Sequence, residues 1–428
     1  MRLDAGVPMN AMARRILLVG LLGMCVGALA CVSEPAPVFE SDTVRRRDAT
    51  ASSDASLQDA TASSDASLQD AVVADAGRRD SSTADIRPRV VAIGRNGELS
   101  IRTLEAPWAS VMELRFGTAF VRTRAFGRVL YALMQSPTPS LRRIWNDGSI
   151  QNTIALPGIS KPTDILVLDA KRALVTSSGN GNPLWLLQLD TGALQPVSLA
   201  YLSDPDGNPD ANTMAICGSR AFVQLRREDH ATGRAARPVL AVIDVSSAVP
   251  SVLDADAVKS GVQGVELHGT PDLDMSMHCT EQRLFVVEPA LLMLDGGQVE
   301  EVNLTTLSAS VSSLPKDGMV GALQMVHPAQ GVGWMVMHTE FGPAPSSHLI
   351  YLGADHAMHG RWDTFAPEHI DHLALDISGS QLFFPHGCVR DCGGVPAGLT
   401  VFNAVTGATR TQSPIPTAFS PVDVVLLQ

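Results

Sequence analysis

The sequence has little lysine and few aromatic residues. Lysine occurs at only four of the 428 positions, and Phe, Trp and Tyr together make up 5% of the chain. The formal net charge is −12 at pH 7. Proteins that bind nucleic acids need clustered Lys and Arg to neutralise phosphates, so this composition argues against a nucleic-acid partner. The scarcity of aromatic side chains also makes an aromatic platform for carbohydrates difficult to build.

Several sequence patterns are missing as well. The chain contains no G-x-S-x-G nucleophile elbow, no P-loop and no dinucleotide-binding fingerprint. After Pro88 no long stretch has the 3.6-residue period of an amphipathic helix. Hydrophobic residues nevertheless make up 45% of the chain, so most of it is expected to fold.

Residues 1–30 have the features of a secretory signal peptide. Two arginines at 14 and 15 precede the uncharged stretch 16–30, which is short for a membrane-spanning helix. The stretch ends in VGALA, followed directly by Cys31. This arrangement resembles the lipobox of bacterial lipoproteins, although Ala28 stands where that family prefers Leu. The resemblance implies that the Cys31 thiol receives a diacylglycerol; an ordinary signal peptide with a bystander cysteine is the alternative.

Residues 31–87 form an Asp/Ala/Ser-rich segment with little to bury. The eleven residues DATASSDASLQ at 48–58 are repeated at 59–69, and the segment has one aromatic residue, Phe39. Such a composition predicts a disordered tether, with a reach of roughly 40 Å for about 55 flexible residues. Val32 rather than Asp follows Cys31. We therefore expect a cell-envelope protein of the outer membrane, with the periplasmic or surface-exposed orientation left open.

From residue 88 to 428 short apolar runs alternate with Gly, Asn and Asp turns. In one unit DILVLD (164–169), ALVTSS, LWLLQLD and ALQPVSL (193–199) read as four strands of an antiparallel meander. Similar units fill 118–156, 213–254, 273–304, 322–365 and 370–412. The N-terminal part offers only three strands, and SPVDVVLLQ (420–428) supplies one more. We therefore predict an all-β fold, a seven-bladed β-propeller of four-stranded antiparallel blades in which one terminal strand and three N-terminal strands close the ring.

The strand pattern carries a family resemblance. DILVLDAKRALVT with LWLLQLDTGAL, and MAICGSRAFVQL with VLAVID, resemble the YVTN/lactonase-like seven-bladed propellers. The order of lipobox, tether and propeller is similar to hypothetical lipoproteins of myxobacteria and their relatives. The resemblance covers residues 88–428 and implies the fold rather than a catalytic motif.

Four cysteines remain after Cys31, an even number that favours disulfides in an exported chain. Cys388 and Cys392 lie in HGCVRDCGG, which favours a small structural ring over a metal or redox pair. Cys217 and Cys279 end the first strands of adjacent units and are candidates for a bridge between blades. Equivalent positions on neighbouring blades can be too far apart for a disulfide, so both outcomes stay open.

Three polar clusters are candidate ligand sites. DPDGNPDAN places Asp204, Asp206, Asn208 and Asp210 at alternating positions, where oxygens can converge on Ca²⁺, but an inter-blade turn is the alternative. Histidines concentrate between 327 and 386, including His356-x-x-His359 and His369-x-x-His372, which could chelate a metal only from loops. RREDHATGRAAR (226–237) holds four arginines that could contact an anion or remain solvated.

Two functions fit these features. The first is a non-enzymatic binding or scaffold module, anchored to the membrane through Cys31, that presents a propeller to an unknown protein or glycan ligand. The second is a metal-dependent hydrolase or lyase of the lactonase-like type, which needs three or more convergent polar side chains at the channel mouth. No catalytic residue is assigned, and no cofactor is expected other than Ca²⁺ at the 204–210 loop.

Overall fold

A computed structural model gives the structure of the 428-residue chain. It describes residues 87–178, 182–203, 206–229, 232, 234–235, 237–269, 276–288, 298–313, 319–329, 332–339, 347–352, 357–364, 373–376, 378–387 and 395–428. The predicted signal peptide, the lipidation site Cys31 and the predicted tether therefore lie outside the described residues. In the part that is described, no helix has the length and apolar character needed to cross a bilayer.

The chain forms antiparallel sheets in sequence order, each built mainly from consecutive strands. The first half contains β1 (Arg89–Gly94), β2 (Glu98–Thr103), β3 (Ser110–Arg115), β4 (Phe120–Phe126), β5 (Val129–Met134), β6 (Ser140–Trp145), β7 (Ile150–Ala155), β8 (Pro162–Val167), β9 (Arg172–Ser177), β10 (Leu184–Gln188), β11 (Leu194–Pro196), β12 (Ala211–Cys217), β13 (Arg220–Leu225), β14 (Glu228–Asp229), β15 (Arg234–Ala235), β16 (Val239–Asp244), β17 (Ser251–Leu253) and β18 (Val265–Glu266). A 3-10 helical turn, Ala200–Leu202, precedes β12.

The second half repeats this organisation. It contains β19 (Ser276–Cys279), β20 (Arg283–Glu288), β21 (Gln298–Asn303), β22 (Ala309–Ser313), β23 (Met319–Ala329), β24 (Val332–Thr339), β25 (Ser347–Leu352), β26 (Met358–Thr364), β27 (Ala374–Leu375), β28 (Gln381–His386), β29 (Gly398–Asn403), β30 (Ile415–Pro416) and β31 (Pro421–Leu427). The last predicted unit therefore extends to residue 416 rather than ending at 412.

Among the described residues six sheets have four strands, whereas the sequence predicted seven such sheets. They are β4–β7, β8–β11, β19–β22, β23–β26, β27–β30 and the sheet β3-β2-β1-β31, which combines three N-terminal strands with the C-terminal one. The sheet β12-β13-β16-β17 has five strands because β18 also pairs with β16. β17 pairs with the end of β16 and β18 with its beginning, so two short strands share the edge that one strand covers elsewhere. A further hairpin, β14–β15, interrupts the connection from β13 to β16.

The first strands of the sheets contact one another in a closed ring. β4 contacts β8, β8 contacts β12, and the series continues through β19, β23, β27 and β31 back to β4. The C-terminal strand β31 pairs with β1 along its whole length, as the sequence predicted for the closure of the ring. Sheets arranged in this way around one axis make a β-propeller.

The core lies between neighbouring sheets. Successive side chains of a strand point to opposite faces, so both faces of each sheet need an apolar cover. In β9, Ala173 and Val175 join the cluster shared with β4–β7, and Leu174 joins the cluster shared with the next sheet. All three side chains are fully buried. Each buried Val or Leu of this kind contributes roughly 1.5–3 kcal/mol, which explains the uninterrupted apolar runs in the sequence.

Candidate functional site

A buried carboxylate connects three sheets where their first strands begin. Asp164, the third residue of β8, is completely buried. Its two carboxylate oxygens accept hydrogen bonds from Nε and Nη2 of Arg124 on β4, at 3.2 and 2.6 Å. The backbone N–H of Met214 on β12 donates to Oδ2 at 2.8 Å, and that of Ile165 to Oδ1 at 2.8 Å. One side chain thus links β4, β8 and β12.

Charge complementarity stabilises this cluster. An unpaired carboxylate buried here would cost several kcal/mol, and paired guanidinium groups offset that cost. Nε of a second arginine, Arg122, lies 3.7 Å from Oδ1 of Asp164. Nη2 of Arg124 also donates to the carbonyl oxygen of Met214 at 3.3 Å. The carboxylate of Asp164 therefore makes contacts that hold adjacent sheets together.

An equivalent aspartate occupies the same position in the C-terminal strand. Asp423 follows Pro421 by two residues, as Asp164 follows Pro162. The hydroxyl of Thr123 on β4 donates to Oδ2 of Asp423 on β31 at 2.7 Å, and both residues are buried. The repeated Pro-x-Asp pattern thus places a carboxylate at the junction between one first strand and the next.

Hydroxyl groups extend the network between β8 and β12. Thr163 donates to the carbonyl oxygen of Ala211 at 3.1 Å, and Thr176 donates to that of Asn212 at 2.7 Å. The two hydroxyl oxygens lie 2.9 Å apart. The channel end at which the first strands begin is therefore a polar girdle, defined by Arg124, Asp164, Thr163, Thr123 and Asp423.

The predicted Ca²⁺ loop lies at this same end, just before β12. Its described members hydrogen-bond with one another: the backbone N–H of Asn208 donates to Oδ1 of Asp206 at 2.8 Å, and Nδ2 of Asn208 donates to Oδ1 of Asp210 at 3.0 Å. The backbone N–H of Glu228 donates to Oδ2 of Asp210 at 3.0 Å. The loop thus fastens the base of the β14–β15 hairpin. Asp204 lies outside the described residues, and Ca²⁺ binding stays a prediction.

The predicted bridge between blades is confirmed for Cys217 and Cys279. The two residues end β12 and β19, their Cα atoms are 5.7 Å apart, and their sulfur atoms are bonded. The disulfide therefore joins two neighbouring sheets at the end opposite the polar girdle.

Other predicted site residues fall outside the described part of the chain. These are Cys388, Cys392, His356, His369 and His372. His359 is described, and its ring lies edge-on to that of Tyr351, with 6.4 Å between the ring centres. His386 ends β28 and is buried, and desolvation lowers its pKa below the usual value. Among the described residues, no group of three or more His, Cys, Asp and Glu is placed to hold a metal ion.

One pair, Glu300 and His268, was not indicated by any sequence pattern. Glu300 lies within β21, and its side chain is completely buried. Its Oε1 accepts the backbone N–H groups of His268 and Gly269 at 2.6 and 3.1 Å, and its Oε2 lies 3.0 Å from Nδ1 of His268. Glu300 lies in β21 and His268 in the connection that follows β18, 32 positions away in the sequence. No local spacing could therefore have indicated the contact.

Comparison with solved structures identifies the architecture. Dihydro-heme d1 dehydrogenase NirN, solved in complex with DHE, matches with a TM-score of 0.50 at 14% identity, over 79% of this chain and 75% of that one. The fold is that of a β-propeller. No protein-family model matches the sequence, and no curated protein matches it.

Two further structures match less closely. Apo AztD from Citrobacter koseri gives a TM-score of 0.47 at 11% identity, over 79% of this chain and 98% of that one. BamB from Moraxella catarrhalis gives 0.40 at 15% identity, over 69% and 78%. At such identities the similarity concerns the fold alone.

Proposed function

We propose that the protein is a cell-envelope lipoprotein in which lipidated Cys31 and the segment 32–87 tether a β-propeller that acts as a non-enzymatic binding module. The proposed binding role rests on one observation: the charged side chains of the polar girdle make contacts between sheets. Asp164, whose side chain is completely buried, and its partner Arg124 are engaged in bonds between sheets. Groups held in this way make a rigid frame for the surrounding loops rather than groups that exchange protons with a substrate.

The loops at this end offer a surface for a partner. The connection from β11 to β12 exposes Tyr201, whose accessible fraction is 72%. The connection from β13 to β16 carries the β14–β15 hairpin, whose base is fixed by Asp210. An exposed tyrosine at the same end as a fixed polar hairpin suits a protein or glycan partner, since tyrosine combines apolar contact area with a hydroxyl group.

Export is supported by the disulfide between Cys217 and Cys279. Disulfides persist in oxidising compartments such as the periplasm and the cell surface, and they are rare in the cytosol. The composition after Cys31 and the choice of Val32 favour the outer membrane within that setting.

One set of variants tests both parts in cells. The wild-type chain should incorporate labelled palmitate and sediment with membranes. Cys31→Ser should abolish both, and Cys25→Ser, the matched change within the signal segment, should leave both unchanged. A photo-reactive residue at position 201 should give discrete cross-linked products, whereas one at the exposed Val249, at the opposite end, should not. Membrane association of Cys31→Ser would contradict the anchor, and equal cross-linking at both positions would contradict the binding end.

A further inference from the structure

The turn between β21 and β22 has the sequence of a glycosylation acceptor. Asn303, Leu304 and Thr305 form the only Asn-x-Ser/Thr triplet in the chain, and the middle residue is not Pro. In exported proteins this triplet accepts N-linked glycans where it lies on the surface. The structure leaves both Asn303 and Thr305 exposed. The triplet therefore meets the first requirement for this modification, which is access.

The hydrogen bonds of the turn leave the amide nitrogen of Asn303 unengaged. The backbone N–H groups of Thr305 and Thr306 donate to its Oδ1 at 2.8 and 3.0 Å. An amide oxygen has two lone pairs, so Oδ1 has both of its bonds. None of the described residues accepts a hydrogen bond from Nδ2 of Asn303. The turn thus holds the oxygen against the backbone and keeps the nitrogen, the atom that receives a glycan, available.

Leu304 fixes the turn to the sheet between these two exposed residues. Its side chain packs against the apolar cluster shared by the sheets of β12 and β19. Its carbonyl oxygen accepts a hydrogen bond from Nη1 of Arg220 at 2.6 Å. Arg220 begins β13, directly after the turn that follows Cys217, so the triplet lies at the disulfide end of the propeller. A glycan there would leave the opposite end, with Tyr201, free for a partner.

We propose that Asn303 is an N-glycosylation site, modified in the compartment to which the protein is exported. The co-substrate is an oligosaccharide linked to a lipid diphosphate, and an oligosaccharyltransferase carries out the transfer. Nδ2 of Asn303 forms a bond to the anomeric carbon of the sugar, the bond from that carbon to the diphosphate oxygen breaks, and the amide proton passes to the released lipid diphosphate. The proposal rests on the export that the proposed function includes, but not on lipidation of Cys31.

The chain contains a matching turn that lacks the hydroxyl group. Asn403 ends β29, and the backbone N–H groups of Val405 and Thr406 donate to its Oδ1 at 3.0 and 2.9 Å. The hydrogen bonding is the same as at Asn303, but Val405 stands where the acceptor triplet has Thr305. Because the third position of an acceptor must be Ser or Thr, Asn403 should stay unmodified and serves as an internal control.

The test is to express the full chain in a bacterial host together with an oligosaccharyltransferase and a defined lipid-diphosphate-linked oligosaccharide. Mass spectrometry of the protein recovered from the cell envelope then gives the number and position of the glycans. The wild type should carry one oligosaccharide on Asn303 and none on Asn403. Asn303→Gln and Thr305→Val should each abolish the mass increase, Thr305→Ser should retain it, and Asn403→Gln should leave it unchanged.

The outcomes separate this site from the proposed anchor. An unmodified wild type in the envelope would overturn the glycosylation site, and so would a mass increase that persists in Asn303→Gln. A wild type that carries the glycan but incorporates no palmitate would contradict the anchor at Cys31 alone. A wild type confined to the cytosol would contradict both proposals, since each requires export.

Discussion

Asp164 shows how a single side chain can set the relation between sheets. Its carboxylate accepts two bonds from Arg124 on one side and one backbone N–H from Met214 on the other. Among the described residues no sheet pairing joins neighbouring first strands, so side-chain contacts such as this one help to determine their relative position. A charged, bidentate contact suits that role because its geometry is directional.

At this scale we predict that Arg124→Ala is costly and that the same substitution at Arg283 is not. Arg124→Ala removes the bidentate partner of the buried Asp164 and leaves it Arg122 at 3.7 Å and two backbone N–H groups, so it should lower the free energy of unfolding by up to about 3–5 kcal/mol. Arg283 pairs with Glu301 at 2.5 Å, but its own side chain is 57% exposed. Arg283→Ala should therefore cost no more than about 1 kcal/mol. Urea denaturation measures both values, and equal losses would show that Asp164 is not held by its charge.

At the scale of elements, the sheet β12-β13-β16-β17 differs most from the others. Its outer edge is divided between β17 and β18, and a connection of eleven residues, 254–264, separates these two short strands. The disulfide between Cys217 and Cys279 ties the first strand of this sheet to β19 of the next. The disulfide therefore joins the sheet with the least regular outer edge to its neighbour.

Replacing both cysteines by serine should destabilise the protein measurably. The bond closes a loop between residues 62 positions apart, and typical disulfides of this kind contribute about 2–4 kcal/mol. The double variant should unfold at a lower urea concentration than the wild type. A reducing agent should shift the wild type towards the variant and affect the variant less. Identical midpoints for the oxidised wild type and the variant would contradict a stabilising role.

The sequence predicted elements better than it predicted contacts between them. Apolar runs and turn residues located β8–β10, and the single C-terminal strand at 420–428, set against only three N-terminal strands, pointed to β31 as the closing strand. The two-residue strand β18 was missed, because such a short segment becomes a strand only when β16 offers its free edge. The bond between Arg124 and Asp164 was also missed, since residues 40 positions apart have no local spacing.

At the scale of the whole molecule, the contact that closes the ring joins the two ends of the propeller sequence. β31 pairs with β1 from Arg89 opposite Leu427 to Gly94 opposite Pro421, and its side chains pack on β28 of the preceding sheet. Without β31 the edge of β1 would be open, and an open edge templates association with other chains. The first strand of one sheet would also be missing from the ring, and with it Asp423, the acceptor for Thr123.

We therefore predict that a chain ending at residue 419 loses its cooperative unfolding transition, and that moving the strand restores it. In antiparallel β31 and β1, Leu427 lies opposite Arg89. If residues 420–428 are inserted directly before Arg87, only Gln428, Arg87 and Pro88 separate these partners, a length that fits a hairpin loop. The rearranged sheet then has consecutive strands like its neighbours.

Calorimetry should show a single transition for the wild type and the rearranged chain, and none of comparable enthalpy for the truncated chain. A truncated chain that melts like the wild type would mean that closure by β31 is dispensable. Failure of the rearranged chain alone would mean that the ring depends on closure between the two termini and not merely on the presence of the strand.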